Sequence, residues 1–392
     1  MGGCRRTAQT AEAGVGEISE DLRQSLEPDR LPGFAHPREV PRFFGNPAAE
    51  QTLLQAIRSS RLHHAWLIKG AQGIGKATLA YRLARFLLSS NFEEALGAPD
   101  LSVPQDSPVF ARVAALSHPN LLVLRRPWQE ARGRFAQQIT VGEVRRLKTF
   151  LGNTAATDGW RIVIVDRAED MNANAANALL KALEEPPPRC IFLLVSAAPG
   201  RLPITIRSRC RQLKLEPLEP PALGEAVSLA FERAAMELPS DADLDRSLEL
   251  AEGSVGFALQ LLSNDGLELY DQLFAALTSL PDPDYAALHA LADRATASGD
   301  LDRFELTTTM LEGIIARLIR QKTLGEGAVG EEAALAGQLI GAHGLARWAE
   351  LWETLRRAKA ETLALNLDRK SFFLGTFFRL EETTRLEMAS GT

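Results

Sequence analysis

The residues best suited to chemistry gather around a glycine-rich loop. Gly70-Ala71-Gln72-Gly73-Ile74-Gly75-Lys76-Ala77 satisfies G-x-x-x-x-G-K but lacks the hydroxyl that usually follows. Glycines let backbone N–H groups curl around an anion, a helix N-terminus adds its positive end, and Lys76 has the reach for the β- and γ-phosphates of a nucleotide. The absent Ser or Thr would coordinate Mg²⁺. Ala77 cannot, and Thr78 comes one position late, turned by about 100° around a helix. Asp166 closes the apolar run Arg161-Ile162-Val163-Ile164-Val165. It stands where a strand-end carboxylate holds Mg²⁺ through water, or else caps a turn. Arg167 follows it, and a guanidinium cannot act as the base toward water. Phosphate binding is therefore written more clearly than phosphoryl transfer. Two other groupings offer less. His63 and His64, adjacent on an extended chain, point to opposite faces and do not share a metal. Cys210 has no His nearby in sequence to activate it.

The elements that must position these groups follow from apolar spacing. His64–Lys69 reads as a short buried strand that runs into the loop, and Lys76–Leu88 as a helix with Leu79, Leu83, Phe86 and Leu87 on one face. A helix is expected over 47–59, a strand over Asn120–Leu124, and a helix over Val141–Leu151. The runs RIVIV (161–165) and IFLLV (191–195) are continuously apolar, as in parallel strands covered on both faces. Between them Asn174–Glu185 reads as a helix that Pro186-Pro187-Pro188 ends. Strand alternating with helix predicts a parallel sheet. After Leu215 strand signals stop, Pro217, Pro220 and Pro221 mark a boundary, and the rest is helical. The expected organisation is a flexible tail over 1–38, an α/β domain over 39–215, a small helical domain over 216–264 and an all-α domain over 265–392. Residues 89–117 carry little pattern.

Composition narrows the class. Among 392 residues, 44 Lys+Arg oppose 50 Asp+Glu for a net charge of −6, with 45% apolar and 24% charged residues. These are globular proportions, which exclude wholesale disorder, a fibre or a strongly basic nucleic-acid coat. Cys4, Cys190 and Cys210 are too few for a disulfide framework or a four-thiolate zinc site, and they fit a reducing compartment. The longest apolar run, Cys190–Ala198, is far short of the roughly 18 residues that span a bilayer, and the first residues lack the apolar stretch of a signal peptide. A cytoplasmic location with no membrane contact is expected. Arg125, Arg126, Arg132, Arg134, Arg145, Arg146 and Lys148 form the densest basic stretch. It is read as a solvated helix-and-loop surface, with contact to a nucleic-acid backbone as the alternative. Leu345, Trp348, Trp352 and Leu355 fall at helical spacing, chiefly as core.

Beyond these readings, Asn177-Ala178-Leu179-Leu180-Lys181-Ala182-Leu183-Glu184-Glu185-Pro186-Pro187, followed by IFLLVSAAPGRLPITIRSRC, resembles the clamp-loader subunits of bacterial DNA polymerase III. The resemblance covers roughly 43–265 by motif and the helical remainder by architecture. Leu365-Asn366-Leu367-Asp368-Arg369-Lys370 looks like its delta-prime branch. The resemblance implies a RecA-like AAA+ P-loop domain, a helical lid and a helical collar. In the ATP-hydrolysing gamma/tau branch the loop lysine precedes Ser or Thr, the strand end carries an Asp-Glu pair, and the lid carries G-S-x-R. Here stand Ala77, Asp166-Arg167 and Gly253-Ser254-Val255-Gly256. The resemblance thus implies a delta-prime-like structural subunit with no ATPase activity of its own. ATP or ADP with Mg²⁺ would bind at most weakly through Gly70, Gly73, Gly75, Lys76 and Thr78. No zinc is expected, because residues 89–120 lack the cysteines of the family's zinc module.

It implies further that Arg209, in the triplet Ser208-Arg209-Cys210, contacts the γ-phosphate held by a neighbouring subunit. Such a finger contributes about 10³–10⁵ in rate. Ser196 matches the family's polar sensor, or is merely a strand-end hydroxyl. The implied partners are three gamma/tau subunits and one delta in a heteropentamer, which loads the sliding β clamp onto primer–template DNA during replication as part of the polymerase III holoenzyme, a nucleotidyltransferase complex. Two rivals remain: an active gamma/tau-type ATPase that uses Thr78, and a P-loop kinase, for which neither an acceptor site nor an arginine-rich lid is evident.

Overall fold

The computed structural model describes residues 27–89, 97–130, 134–152, 159–263, 265–297, 301–341, 343–365 and 367–390. Strand β1 (Ala65–Lys69), β2 (Leu121–Leu124), β5 (Arg161–Asp166), β6 (Cys190–Ser196) and β7 (Arg211–Lys214) form one sheet in the order β2-β5-β6-β1-β7. All its pairings are parallel. A short antiparallel pair, β3 (Trp128–Gln129) and β4 (Arg134–Phe135), stands apart. Every residue of β6 is buried, as its unbroken apolar run requires of a central strand. β6 therefore lies between β5 and β1, which places the loop after β1 beside the end of β6, with the end of β5 one strand further on.

Helices α1 (Pro47–Arg58), α2 (Lys76–Leu87) and α3 (Pro108–Ala114) cover one face of the sheet; α4 (Val141–Gly152), α5 (Ala173–Glu184) and α6 (Ile204–Arg207) cover the other. Next come α7 (Pro220–Arg233), α8 (Asp241–Leu250) and α9 (Val255–Leu261), whose Val227, Phe231 and Leu259 join the core on the α2 face. The rest of the chain is α10 (Gly266–Thr278), α11 (Tyr285–Ala295), α12 (Leu301–Leu324), α13 (Glu332–Leu339), α14 (Leu345–Leu365) and α15 (Arg369–Ser390) around a core of their own. The expected α/β region with a parallel sheet, followed by an all-α remainder, is what the structure shows. Trp348 and Leu355 are buried in the C-terminal core, where Leu345 and Trp352 pack against it, and Trp352 donates its indole N–H to the Glu312 carbonyl at 3.0 Å.

The expected flexible tail is corrected in part. Residues 1–26 lie outside the described residues, but 27–38 are packed: Phe34, His36 and Arg38 are buried, and Phe34 meets Phe231 edge-on at 5.3 Å. Charge pairing, which a count of apolar residues does not register, holds this segment. The buried Glu27 carboxylate takes Arg38 at 2.5 Å, Arg125 at 2.8 Å and Arg30 at 3.0 Å, while His36 meets Asp29 at 2.8 Å. From α2, Arg85 donates to the carbonyls of Arg38 at 2.7 Å and Val40 at 2.9 Å. Two further elements carry no readable signal in the sequence: α3 inside 97–117, and β7, whose single buried residue gives no apolar run.

Candidate functional site

β1 delivers the chain to the loop and α2 begins at its lysine. Gly70, Gly73 and Gly75 all have positive φ. At Gly73, with φ 77°, the requirement is double: a Cβ would stand 2.3 Å from Ser254 Oγ and 3.1 Å from Gly256 Cα. Lys76 is buried, and its ammonium donates to the Ala71 carbonyl of its own loop. Burial pushes that ammonium down to about 8, although the Asp166 and Glu169 carboxylates pull the other way. Thr78 is half-buried on α2.

Asp166 ends β5 in a buried position, 6% exposed. Burial pushes its carboxyl up to about 7; Asp29 adds to the rise, while Arg167 and Lys76 oppose it. Arg167 turns to Asp170, with its Nε 3.3 Å from the carboxylate. Ser196, at the end of β6, is fully buried, and its hydroxyl has no hydrogen-bond partner among the described residues. Beside it lies a carboxylate that the motifs did not mark. Glu169 Oε1 accepts the N–H of Ala197 at 2.9 Å and of Ala198 at 3.3 Å, and its Oε2 is buried without a partner among the described residues. Two successive N–H groups at a strand end form an anion-binding concavity, and here the chain's own Glu169 fills it. No motif spacing contains that residue, so only the fold reveals it.

The second unmarked contact comes from the small helical segment. Ser254 Oγ donates to the Gln72 carbonyl at 2.9 Å, and the Gly256 N–H donates to the Gly73 carbonyl at 3.1 Å. The start of α9 is thus seated on the glycine loop. Ser254 lies within the Gly253–Gly256 string, whose departure in sequence is at 256 and which by itself assigns that hydroxyl no partner. These residues fit Mg²⁺ with a nucleotide poorly. Ala77 offers no hydroxyl, the loop lysine is engaged within the chain, and burial favours the neutral form of Asp166.

The carboxyl and the ammonium give a testable pH profile. Between 3.8 and about 7 the unfolded chain sheds the Asp166 proton while the folded chain keeps it, so folding stability falls as pH rises through that window. Between about 8 and 10.5 the folded chain has lost the Lys76 proton and the unfolded chain has not, so stability recovers as pH rises. Asp166→Asn removes the first slope. In thermal unfolding from pH 4 to 8, the variant gains on the wild type progressively up to about pH 7, and parallel curves would contradict this assignment.

Arg209 lies on the opposite side of the sheet's strand ends, just after α6. Its guanidinium meets Glu184 Oε1 at 2.6 Å and donates to the Thr205 carbonyl at 3.0 Å. Both side chains remain substantially exposed, 37% and 48%. Ser208 Oγ caps the same short helix through the Thr205 carbonyl at 3.2 Å. Cys210 and Cys190 are buried, and burial pushes each thiol up to about 12, out of nucleophilic range.

The remaining candidates take other roles. His63 and His64 do not point apart as expected. They precede the strand, where the chain is not yet extended, and their rings stack at 4.3 Å. His64 Nε2 lies 3.0 Å from the Leu183 carbonyl. The basic stretch is divided: Arg125 pairs with Glu27 and Asp29 and Arg126 with Asp170, while Arg134, Arg145 and Lys148 are exposed. Arg132 lies outside the described residues.

Known proteins carry the same pattern. The family model described as DNA polymerase III, delta subunit, matches residues 45–219. The DNA polymerase III subunit delta' of Pseudomonas aeruginosa is 39% identical over 207 residues, covering 52% of this chain and 58% of that one. Its Escherichia coli counterpart is 32% identical over 252 residues, covering 64% and 70%. The Escherichia coli DNA polymerase III subunit tau is 28% identical over 270 residues, covering 63% of this chain and 37% of that one. The alignments thus span 58% of the first delta' relative and 70% of the second, and leave the rest of each unmatched.

Proposed function

That this chain belongs to the family of DNA polymerase III delta-prime subunits is the premise from which we propose that it is a structural clamp-loader subunit. It would assemble with gamma/tau and delta subunits and help load the sliding β clamp onto primed DNA. Residues 39–215 would be the AAA+ domain, 216–264 the lid and 265–392 the collar. Its own phosphate loop is idle in this reading, and Arg209 completes the triphosphate site of a neighbour. The observation that carries the proposal is the self-engaged loop: Lys76 donates to the Ala71 carbonyl, Ser254 to Gln72 and Gly256 to Gly73. The ammonium that would meet a phosphate is spent within the chain, and the other two contacts seat α9 against the loop. The exposed position of Arg209 agrees with an action outside it.

Lys76→Ala tests this directly. The isolated chain hydrolyses no ATP, and a complex reconstituted with the variant keeps the DNA-stimulated turnover of the wild-type complex. Lys76-dependent hydrolysis by the chain alone would instead make it an active gamma/tau-type subunit.

A further inference from the structure

The segment Glu252–Gly256 is where three parts of the chain meet, and its conformation needs holding. Glu252 adopts φ 45°, the left-handed region that residues other than glycine rarely occupy. Its carboxylate is gripped from α12: Arg317 Nη1 lies 3.2 Å from Oε1 and Arg320 Nη2 3.1 Å from Oε2. Arg317 is itself fixed. It is buried, and Glu332 at the start of α13 takes its Nε and Nη2 at 2.8 Å each. Glu332 also accepts the Tyr270 hydroxyl of α10 at 2.6 Å. One residue on, the Gly253 carbonyl accepts the Leu218 N–H at 3.0 Å, on the connection from the sheet. Two and four residues on, Ser254 and Gly256 make their contacts to Gln72 and Gly73. A Cβ at 256 would stand 3.1 Å from Gly73 Cα, so the glycine in the place of the family's arginine also permits this close seat.

We infer that Glu252 is a positioning residue: anchored by Arg317 and Arg320 of the C-terminal helices, it keeps Ser254 and Gly256 seated on the phosphate loop. The ion pair therefore couples the C-terminal helical core to a loop that neither arginine touches. The inference rests on the reading of that loop as closed. Its test reads loop motion rather than ATP turnover, so the two readings fail separately.

Amide hydrogen exchange of the full chain, followed by mass spectrometry, measures the coupling. In Glu252→Gln, peptides spanning 70–76 and 254–258 exchange faster by roughly tenfold, while those of β5 and β6 exchange as in the wild type. Ser254→Ala opens the same loop. Adding Glu252→Gln to it leaves loop exchange nearly unchanged, because the carboxylate acts through that hydroxyl's seat. Unchanged loop exchange in Glu252→Gln, acceleration spread evenly over the sheet, or additivity in the double variant would each overturn the inference. Should Glu252→Gln fail to fold, Arg320→Gln, altered at a half-exposed partner, accelerates the same two peptides by a smaller factor, and its silence would be equally decisive.

Discussion

In a reconstituted clamp-loader complex, Arg209→Ala lowers DNA-stimulated ATP turnover at the one neighbouring site it would complete by about 10³-fold or more, measurably lowers the turnover of the whole complex, and leaves assembly intact. The size follows from the charge the guanidinium would stabilise on a transferring phosphoryl group, for which arginine fingers contribute about 10³–10⁵. The tolerance of assembly follows from where the side chain rests in the chain by itself. Its pair with Glu184, at 2.6 Å, is exposed on both sides, and such pairs contribute only about 0–1 kcal/mol. A contact that weak is readily exchanged for a triphosphate, and losing it costs the fold little. Arg209→Lys restores only part of the rate, since an ammonium lacks the planar fork that meets two phosphate oxygens at once. Glu184→Gln releases the guanidinium without removing it, and turnover stays at or above the wild-type level. Steady-state ATPase assays with size-exclusion chromatography of each complex decide the matter; undiminished turnover in Arg209→Ala would remove the finger role.

Much of this site was legible because its signals are local. The run before Gly70 and the helix after Lys76 were placed within a residue of their observed ends, and RIVIV and IFLLV became adjacent central strands. Buried parallel strands announce themselves by continuous apolar runs, and a glycine loop by positions that need positive φ. What stayed hidden depends on contacts between distant segments. Residues 27–38 look like a tail because their cohesion comes from Glu27 and Asp29 meeting Arg125 and from the Arg38 carbonyl meeting Arg85, nearly fifty to a hundred residues away. Glu169 and Ser254 are ordinary polar residues until the sheet order and the turn at Glu252–Gly253 bring them to the loop. β7 fails for another reason: an edge strand with three exposed residues in four has no apolar alternation to read. The same division explains the motif departures. Ala77, Arg167 and Gly256 mark missing chemistry in sequence, whereas the internal contacts that take its place appear only in three dimensions.

The buried pair Arg317–Glu332 carries the largest predicted effect on stability. Glu332 is wholly buried and serves four groups: two nitrogens of Arg317, the Tyr270 hydroxyl at 2.6 Å and the Val329 N–H at 3.0 Å. Arg317 is buried beside it and reaches Glu252 at 3.2 Å. Arg317→Met keeps the bulk of the aliphatic stem but strands the carboxylate with two neutral donors. Removing one partner of a buried pair costs about 3–5 kcal/mol, because the remaining charge is desolvated without compensation. Against a typical net stability of about 5–15 kcal/mol, that loss shifts the urea midpoint strongly downward. Adding Glu332→Gln to Arg317→Met recovers most of it. The amide is uncharged, its carbonyl can take the Val329 N–H and its NH2 can donate to the Tyr270 oxygen, so the uncompensated charge disappears while each position keeps a hydrogen-bond partner. Urea titrations of the wild type, the single variant and the double variant separate the causes. If the loss came from packing alone, the double variant would be no more stable than Arg317→Met, and the electrostatic account of this junction would fail.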